Sequence, residues 1–572
     1  MHDTLPSLLL RRRPGHSLEA AFYAAEAVFR ADMDLIFGRH WIFIGQEPDV
    51  PEPGDVMAIR IGDAPILVLR DDGGRVRAFH NVCRHRGAQL VPDGKGQVGN
   101  LVCRYHTWTY GLDGALLFAD HMGEGFDPGC RGLRPVALRS VAGLLFACLA
   151  ANPPDDIEAM AAEMEPYLRP HGLRDAKVAR QVDLVEHGNW KLTMENNREC
   201  YHCAANHPEL TVPLFAYGFG FAPGSLDEGE LAQAARYDGL VTDLHARWEA
   251  AGLPSRLVER LTGRPTGYRT ERLPLDQAGE SHTRDTRAAC RVLLGGLRDA
   301  RLGGLTFWTQ PNSWHHFMAD HAVTFCVLPL GPDRTLLRTT WLVHKDAVEG
   351  VDYDPANLVA VWEATNRQDA ALVEITQSGV RSPAYEPGPY SPHTEGLVED
   401  FCRWYVERMS AGLGVAAPDP PIVPRADSHG DPAAPTPDTG PGAPWAAAPQ
   451  SARDDARAGM NGGVLTAAGP VASAVSLDPP DHPAAAMFTI RFARRGRDVP
   501  CAGDMTVLAA ARAAGVRLPY ACGKGACGTC KSRVLSGTVE MRPDGGIQQH
   551  EIDDGMALLC CARPTSDLVV DR

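Results

Sequence analysis

Three groups of residues in this chain have the types and spacing of metal ligands. Near the start, Cys83-x-His85 and Cys103-x2-His106 each join one thiolate to one imidazole across a short gap. Zinc fingers pair Cys with Cys and His with His inside each couple. Two mixed couples instead supply what a [2Fe-2S] cluster with unequal irons needs, two thiolates on one iron and two neutral imidazoles on the other. At the far end, Cys522-x4-Cys527-x2-Cys530, followed by Cys560, has the all-cysteine spacing of a second kind of [2Fe-2S] cluster. Gly523, Gly525 and Gly528 in that loop leave backbone N–H groups open to the sulphurs. Between the two lies Glu199-x2-His202-x4-His207, a ligand cluster suited to a non-haem Fe(II) with open positions for dioxygen.

A site of two histidines and one carboxylate needs a third ligand from elsewhere. On a continuous helix Glu195, Glu199 and His202 share one face, and His207 follows where Pro208 limits further helix. The helix expected after Pro355 puts Leu358, Trp362, Thr365, Asp369, Leu372 and Thr376 on one stripe, so Asp369 interrupts a largely apolar face. A buried carboxylate needs a partner, because desolvating an unpaired charge costs several kcal/mol. Iron is the partner this pattern suggests.

The elements around these residues divide the chain. From Asp55 to Cys83 short apolar and β-branched runs, Ile66 to Arg70 and Val76 to His80, alternate with Gly/Asp turns, as in a small antiparallel sheet carrying the first ligands on two loops. A strand-rich stretch from Leu305 to His344, the helix after Pro355 and a last helix from Glu395 to Met409 suit an α+β catalytic domain. Between Pro418 and about Pro483 the composition turns to Pro, Ala, Gly, Asp and Ser, the character of a tether. A strand resumes after Met487, and Thr506 to Ala514 reads as a helix ahead of the cysteine loop. The expected organisation is an N-terminal helical segment (1–40), a cluster-binding antiparallel β domain (41–155), a catalytic domain (156–417), a flexible linker (418–485) and a β-grasp domain (486–572).

At 572 residues the chain has room for several cores, and its net charge of -15 disfavours nucleic acid or anionic membrane as partner. No run of about 18 apolar residues and no secretory signal pattern is present, so the cytoplasm is the expected location. Of the 15 cysteines, nine lack ligand spacing (Cys130, Cys148, Cys200, Cys203, Cys290, Cys326, Cys402, Cys501 and Cys561) and are expected to be small buried hydrophobes.

The loops Asn81-Val82-Cys83-Arg84-His85-Arg86-Gly87 and Tyr105-His106-Thr107-Trp108 resemble those of the Rieske non-haem iron oxygenases, with Arg104 and Thr107 where many members have Pro and Gly. The resemblance covers residues 1 to roughly 415, and about 487 to 572 resemble plant-type ferredoxins, where Cys560-x-Ala562-x-Pro564 matches in register and favours Cys560 over Cys561 as fourth ligand. Glu195 to Cys203, Trp341 to Tyr353 and Asn366-Arg-Gln-Asp369 look most like the oxygenase components of glycine betaine demethylases. The resemblance implies a Rieske antiparallel β domain, a helix-grip-like α+β catalytic domain and a β-grasp ferredoxin domain. It also implies iron held by His202, His207 and Asp369, and a homotrimer in which Glu199 bridges an iron-bound histidine to a Rieske histidine of the neighbouring subunit.

The implied activity is a monooxygenase that hydroxylates an N-methyl group of a betaine-like quaternary amine with dioxygen. Trp308, Trp314, Phe317, Tyr217, Phe219 and Phe221 are candidates for a cation-π cage around the ammonium. Plant-type clusters lie near about -400 mV and Rieske centres at or above about -150 mV, so flow from ferredoxin to Rieske to iron is downhill by up to about 6 kcal/mol per electron. No Gly-x-Gly-x-x-Gly follows a strand, so a separate NAD(P)H-dependent flavin reductase is expected. The alternatives are an aromatic-ring hydroxylating oxygenase with the same metals, or a non-catalytic iron-sulphur electron carrier.

Overall fold

The computed structural model describes residues 4–214, 228–416, 486–516, 518–520, 525, 528–543 and 546–572. The expected linker lies outside them, as do Tyr217, Phe219, Phe221, Cys522 and Cys527.

The β-branched runs of the N-terminal domain form Ala64–Arg70 and Val76–His80, joined by Asp55–Ile61 and Gly94–Gln97 into a four-stranded antiparallel sheet. Leu101–Val102, Thr109–Tyr110 and Leu116–Phe118 form a second, three-stranded sheet. The two ligand loops leave these sheets in matching shapes. Cys83 N donates to Ala88 O (2.8 Å) and Gly87 N to Cys83 O (3.0 Å). In the second loop Cys103 N donates to Trp108 O (2.8 Å) and Thr107 N to Cys103 O (2.9 Å). The closing residue of each is left-handed, with φ +77° at Gly87 and +58° at Thr107. Thr107 therefore holds a glycine conformation despite its β-branch, a strained state.

The catalytic domain is built on a seven-stranded antiparallel sheet in the order Ala176–Glu186, Arg334–His344, Ala322–Gly331, Ser313–Phe317, Gly304–Thr309, Tyr268–Leu273, Val258–Arg260. The helix Pro355–Val380 is started by Asp354, whose side chain accepts from Ala356 N, with Pro355 in the first turn. Its buried stripe runs through Leu358, Trp362, Thr365 and Asn366, then Val373, Gln377 and Val380. It thus leaves the expected Leu372 and Thr376, and Thr376 is exposed. The last helix is Gly396–Leu413, longer than expected and ended by a left-handed Gly414.

The expected continuous helix through Glu195, Glu199 and His202 does not form. The helix Trp190–Asn196 stops, and the chain turns before the short Cys203–Asn206. The Glu199 carboxylate accepts the backbone N–H of Tyr201 and, at 3.4 Å, that of His202, closing a side-chain turn that competes with helix. Glu195 accordingly faces elsewhere, buried under the hydroxyls of Tyr23 (2.9 Å) and Tyr390 (3.3 Å). Asn189 caps the helix by accepting from Lys191 N (3.0 Å), and Asn189 N donates to Gln377 Oε1 (2.8 Å), which ties this segment to Pro355–Val380. Contact is close enough that a Cβ on Gly188 would lie 2.3 Å from Val373 Cγ1.

The C-terminal domain has its own core around Ile490, Phe492, Val507, Leu558 and Leu568. Its five-stranded sheet runs Arg497–Ala502, Met487–Phe492, Leu568–Val570, Lys531–Ser536, Met556–Leu558, with Met487–Phe492 parallel to Leu568–Val570. The helix Val507–Ala513 is capped by Thr506. No helix among the described residues is long and apolar enough to cross a membrane.

Candidate metal centres and the catalytic cavity

At the first centre the structure brings Cys83, His85, Cys103 and His106 together. Both thiols are buried, while both imidazoles are exposed and their rings lie 4.6 Å apart. Tyr110 supports the loop from beneath, with its hydroxyl 3.4 Å from Cys83 Sγ and accepting from Arg84 N at 2.9 Å. Trp108 stacks on His85 at 4.8 Å. Asn81 Oδ1 accepts from Leu90 N (3.1 Å) and Val91 N (3.0 Å), holding the loop ends together. The arrangement presents the imidazole edge to the surface.

In the catalytic domain, His202 Nε2 lies 3.3 Å and His207 Nε2 3.0 Å from Asp369 Oδ1. The outer ring nitrogens are already engaged. His202 Nδ1 is 2.6 Å from Glu199 Oε1, and His207 Nδ1 is 2.8 Å from Gln368 Oε1, whose amide donates to Glu209 at 2.9 Å. His207 Nε2 and Asp369 Oδ1 are buried and complete no hydrogen bond among the described residues. Two imidazole nitrogens and a carboxylate oxygen thus converge on one point, the donor set of a facial triad, and each imidazole has the outer partner that such ligands carry. Burial would lower the His202 pKa, but the Asp369 and Glu199 carboxylates beside it outweigh that and raise it to about 9. Burial likewise works to raise the Asp369 carboxyl, and the two histidines hold it below the usual range. Cys203 Sγ is near both nitrogens, yet it is joined to Cys200 in a disulfide. That pairing corrects the expectation that both would be plain buried hydrophobes; they sit three residues apart across a turn. Cys130 also departs from it, being exposed and bonded to Asp127.

These residues line a cavity of about 240 Å³. Alternation along the strands Gly304–Thr309 and Ser313–Phe317 turns Thr306, Trp308 and His316 into it. Phe317 is an odd position, faces the other side against His171 and cannot join a substrate cage. Trp314 does not line the cavity either, because it is buried and stacked on Phe325 at 4.9 Å. Of the described aromatic candidates only Trp308 reaches the cavity. The remaining wall comes from His282 and His316, which sequence reasoning missed, and from Trp362, placed on the Asp369 stripe but not as a cavity residue; His316 stacks on Trp362 at 4.5 Å and Trp362 Nε1 donates to His282 Nδ1 at 3.1 Å. Burial pushes His282 down to about 3 and His316 well below its ordinary value, so both are neutral. A signal existed for His316 alone, in the alternation that pairs it with Thr306 across neighbouring strands.

At the C-terminal centre Cys530 and Cys560 are buried side by side, with Cys560 N donating to Cys530 Sγ at 3.4 Å. Cys561 Sγ turns instead to Leu558 O.

The sequence matches the family model of the ring hydroxylating alpha subunit (catalytic domain) over residues 173–411, the Rieske [2Fe-2S] domain over 40–127 and the 2Fe-2S iron-sulfur cluster binding domain over 490–565. It is 45% identical over 422 residues to the glycine betaine monooxygenase oxygenase subunit of Chromohalobacter salexigens, covering 74% of this chain and 92% of that protein. The chain belongs to the Rieske non-haem iron oxygenases. The corresponding subunit of Pseudomonas aeruginosa strain UCBPP-PA14 is 42% identical over 410 residues, covering 71% of this chain and 92% of the relative. A solved structure of the quaternary ammonium Rieske monooxygenase CntA shares the fold, with a TM-score of 0.52 at 19% identity over 72% of this chain and 99% of that one. As a Rieske oxygenase the chain is an oxidoreductase, and its three matched domains carry a Rieske cluster, a mononuclear iron and a second [2Fe-2S] cluster.

Proposed function

We propose that this Rieske oxygenase is a monooxygenase that removes an N-methyl group from a betaine-like quaternary amine, glycine betaine foremost, giving dimethylglycine and formaldehyde. The observation that carries the reading is the neutral aromatic wall of His282, His316 and Trp362 in the same cavity as His202, His207 and Asp369. The names of its relatives, glycine betaine and carnitine monooxygenase oxygenase subunits, point the same way. Iron held by His202, His207 and Asp369 would supply dioxygen activation with two delivered electrons. The chain supplies the rest. Uncharged ring faces attract an ammonium without the cost of a like charge, and they exclude water from the reacting methyl. One oxygen atom enters the C–H bond and the other leaves as water with two electrons and two protons. The N–CH2OH group then breaks at C–N, with the bonding pair staying on nitrogen and the hydroxyl proton leaving to solvent.

Electrons reach the site from the C-terminal [2Fe-2S] domain through the Rieske centre, fed by a separate NAD(P)H-dependent flavin reductase. The exposed imidazoles of His85 and His106 suit contact with a neighbouring subunit of a homotrimer, where Glu199 beside His202 serves as the bridge. Reconstitution with a flavin reductase and assay of formaldehyde from glycine betaine, carnitine, choline and proline betaine tests the reading. Ring hydroxylation of an aromatic substrate without formaldehyde from any of these would refute it. Truncation before Met487 should lower reductase-driven turnover, with partial rescue by free ferredoxin domain.

A further inference from the structure

We infer that Arg198 binds the carboxylate of the betaine substrate and is the residue that selects it over a quaternary amine without a carboxylate. The inference rests on the quaternary-amine reading above and assigns the residue that enforces it.

Arg198 is only 1% exposed and lines the cavity that holds His202, His207 and Asp369. Its guanidinium sits 4.8 Å over the Trp308 ring. Nη1 donates to Asn197 Oδ1 at 2.9 Å and Nη2 reaches Ser313 O at 3.5 Å, while Nε has no partner among the described residues. No described carboxylate pairs with this cation. A second arginine on the same ring shows the contrast. Arg269 lies 5.3 Å from Trp308 and is neutralised by Glu259 (3.1 Å) and Glu271 (2.6 Å). The two respond oppositely. Arg269 overcomes its burial and is raised by its two glutamates, whereas burial and then the Arg269 charge push Arg198 down to about 9. A buried cation without a counter-charge is costly unless something else neutralises it.

The free groups nearby match a carboxylate. A guanidinium offers five N–H donors in a planar fork fitted to two oxygens. Trp308 Nε1, a donor that cannot accept, is also buried and without a partner among the described residues. Arg198 lines the same cavity as the neutral wall and the iron ligands, so a carboxylate held here keeps the ammonium of a short betaine within that cavity. The same positive charge disfavours a cation that brings no carboxylate, such as choline.

The test uses the full chain with its iron and clusters. Arg198→Gln should raise KM for glycine betaine about 30- to 100-fold, since hydrogen bonds to charged groups are lost, with a smaller change in kcat. The kcat/KM ratio of glycine betaine to choline should fall by a similar factor, and Arg198→Lys should restore part of it. An unchanged ratio in Arg198→Gln with iron retained overturns the inference. Calorimetry on the wild-type protein keeps the question answerable if the variant misfolds. Glycine betaine should bind at least 30-fold tighter than its methyl ester, which keeps the ammonium but not the carboxylate charge; equal affinities overturn it. Failure of the wild type both to bind glycine betaine and to release formaldehyde from any quaternary amine would instead overturn the functional reading beneath it.

Discussion

Removing the Asp32 carboxylate should loosen the catalytic domain where its iron ligands begin. Asp32 and Lys191 form an ion pair in which both side chains are 0% exposed. Trp190 Nε1 (3.0 Å) and Tyr405 OH (2.7 Å) also donate to this carboxylate, so its lone pairs are well used. The ammonium lies 4.9 Å over Trp190 and 5.0 Å over Tyr405. Asp32→Asn keeps the shape and strands the buried Lys191. Glu195 is the other acid acting on Lys191, and burial raises its carboxyl to about 7. Breaking one side of a buried pair costs about 3–5 kcal/mol. That is a large part of the roughly 5–15 kcal/mol that holds a domain folded, and it corresponds to a drop in melting temperature of roughly 10 °C. Because Trp190 and Lys191 open the helix that leads into Glu199, His202 and His207, mononuclear iron should be lost more readily than either [2Fe-2S] cluster. Urea titration followed by tryptophan fluorescence, with iron counted beside the cluster spectra, measures both effects. Adding Lys191→Met to Asp32→Asn should recover part of the loss, because it removes the stranded ammonium while the oxygen of the introduced side-chain amide still accepts from Trp190 or Tyr405. A single Asp32→Asn variant within about 1 kcal/mol of wild type would refute the reasoning.

The cluster loops were legible because ligand spacing is a local property. Mixed Cys/His couples sit on two short turns, and in the structure the His85 and His106 rings lie 4.6 Å apart above the buried Cys83 and Cys103. Strands were legible where alternation was strong, as at Val76–His80 and Leu305 to His344. The segment between Glu195 and His207 misled for a definite reason: helical spacing assumes that backbone N–H groups bond within the helix, and Glu199 captures two of them with its side chain. Asp369 stood out through its break in an apolar stripe, and its carboxylate lies beside His202 and His207, yet the stripe itself was drawn wrongly beyond it. Residues after Asp369 pack on Gly188 and the start of the Trp190 helix, which turns burial toward Val373 and Gln377. The cavity wall was least legible. His282, His316 and Trp362 come from three separate segments, and no local pattern says that they meet.

Replacing His207 or Asp369 with Ala should remove the mononuclear iron and turnover while both [2Fe-2S] spectra persist, and Gln368→Leu should weaken iron binding about 10- to 100-fold by freeing the His207 ring, as read by metal titration. Thr107→Gly should stabilise the Rieske domain by about 1 kcal/mol in a thermal melt, because φ +58° costs a β-branched residue and not a glycine. Burial raises the Glu195 carboxyl from 4.5 to about 7, so the native state holds this proton more tightly. Its stabilising contribution is therefore complete below pH 4.5 and lost as pH rises through 7. Glu195→Gln should gain about 3 kcal/mol relative to wild type at pH 8 compared with pH 5 in urea titrations. Glu199→Gln tests the electron route. Its carboxylate lies 2.6 Å from His202 Nδ1 and is anchored by the backbone of Tyr201, itself 64% exposed. The amide keeps the size and one acceptor but loses the charge that would hold an imidazole of each metal centre. Iron content and the reduced Rieske spectrum should therefore survive, while the Rieske signal decays at least about tenfold more slowly in a single turnover with substrate and dioxygen. Wild-type decay in this variant would mean that electrons enter by another path, leaving Glu199 only the structural task of closing its turn.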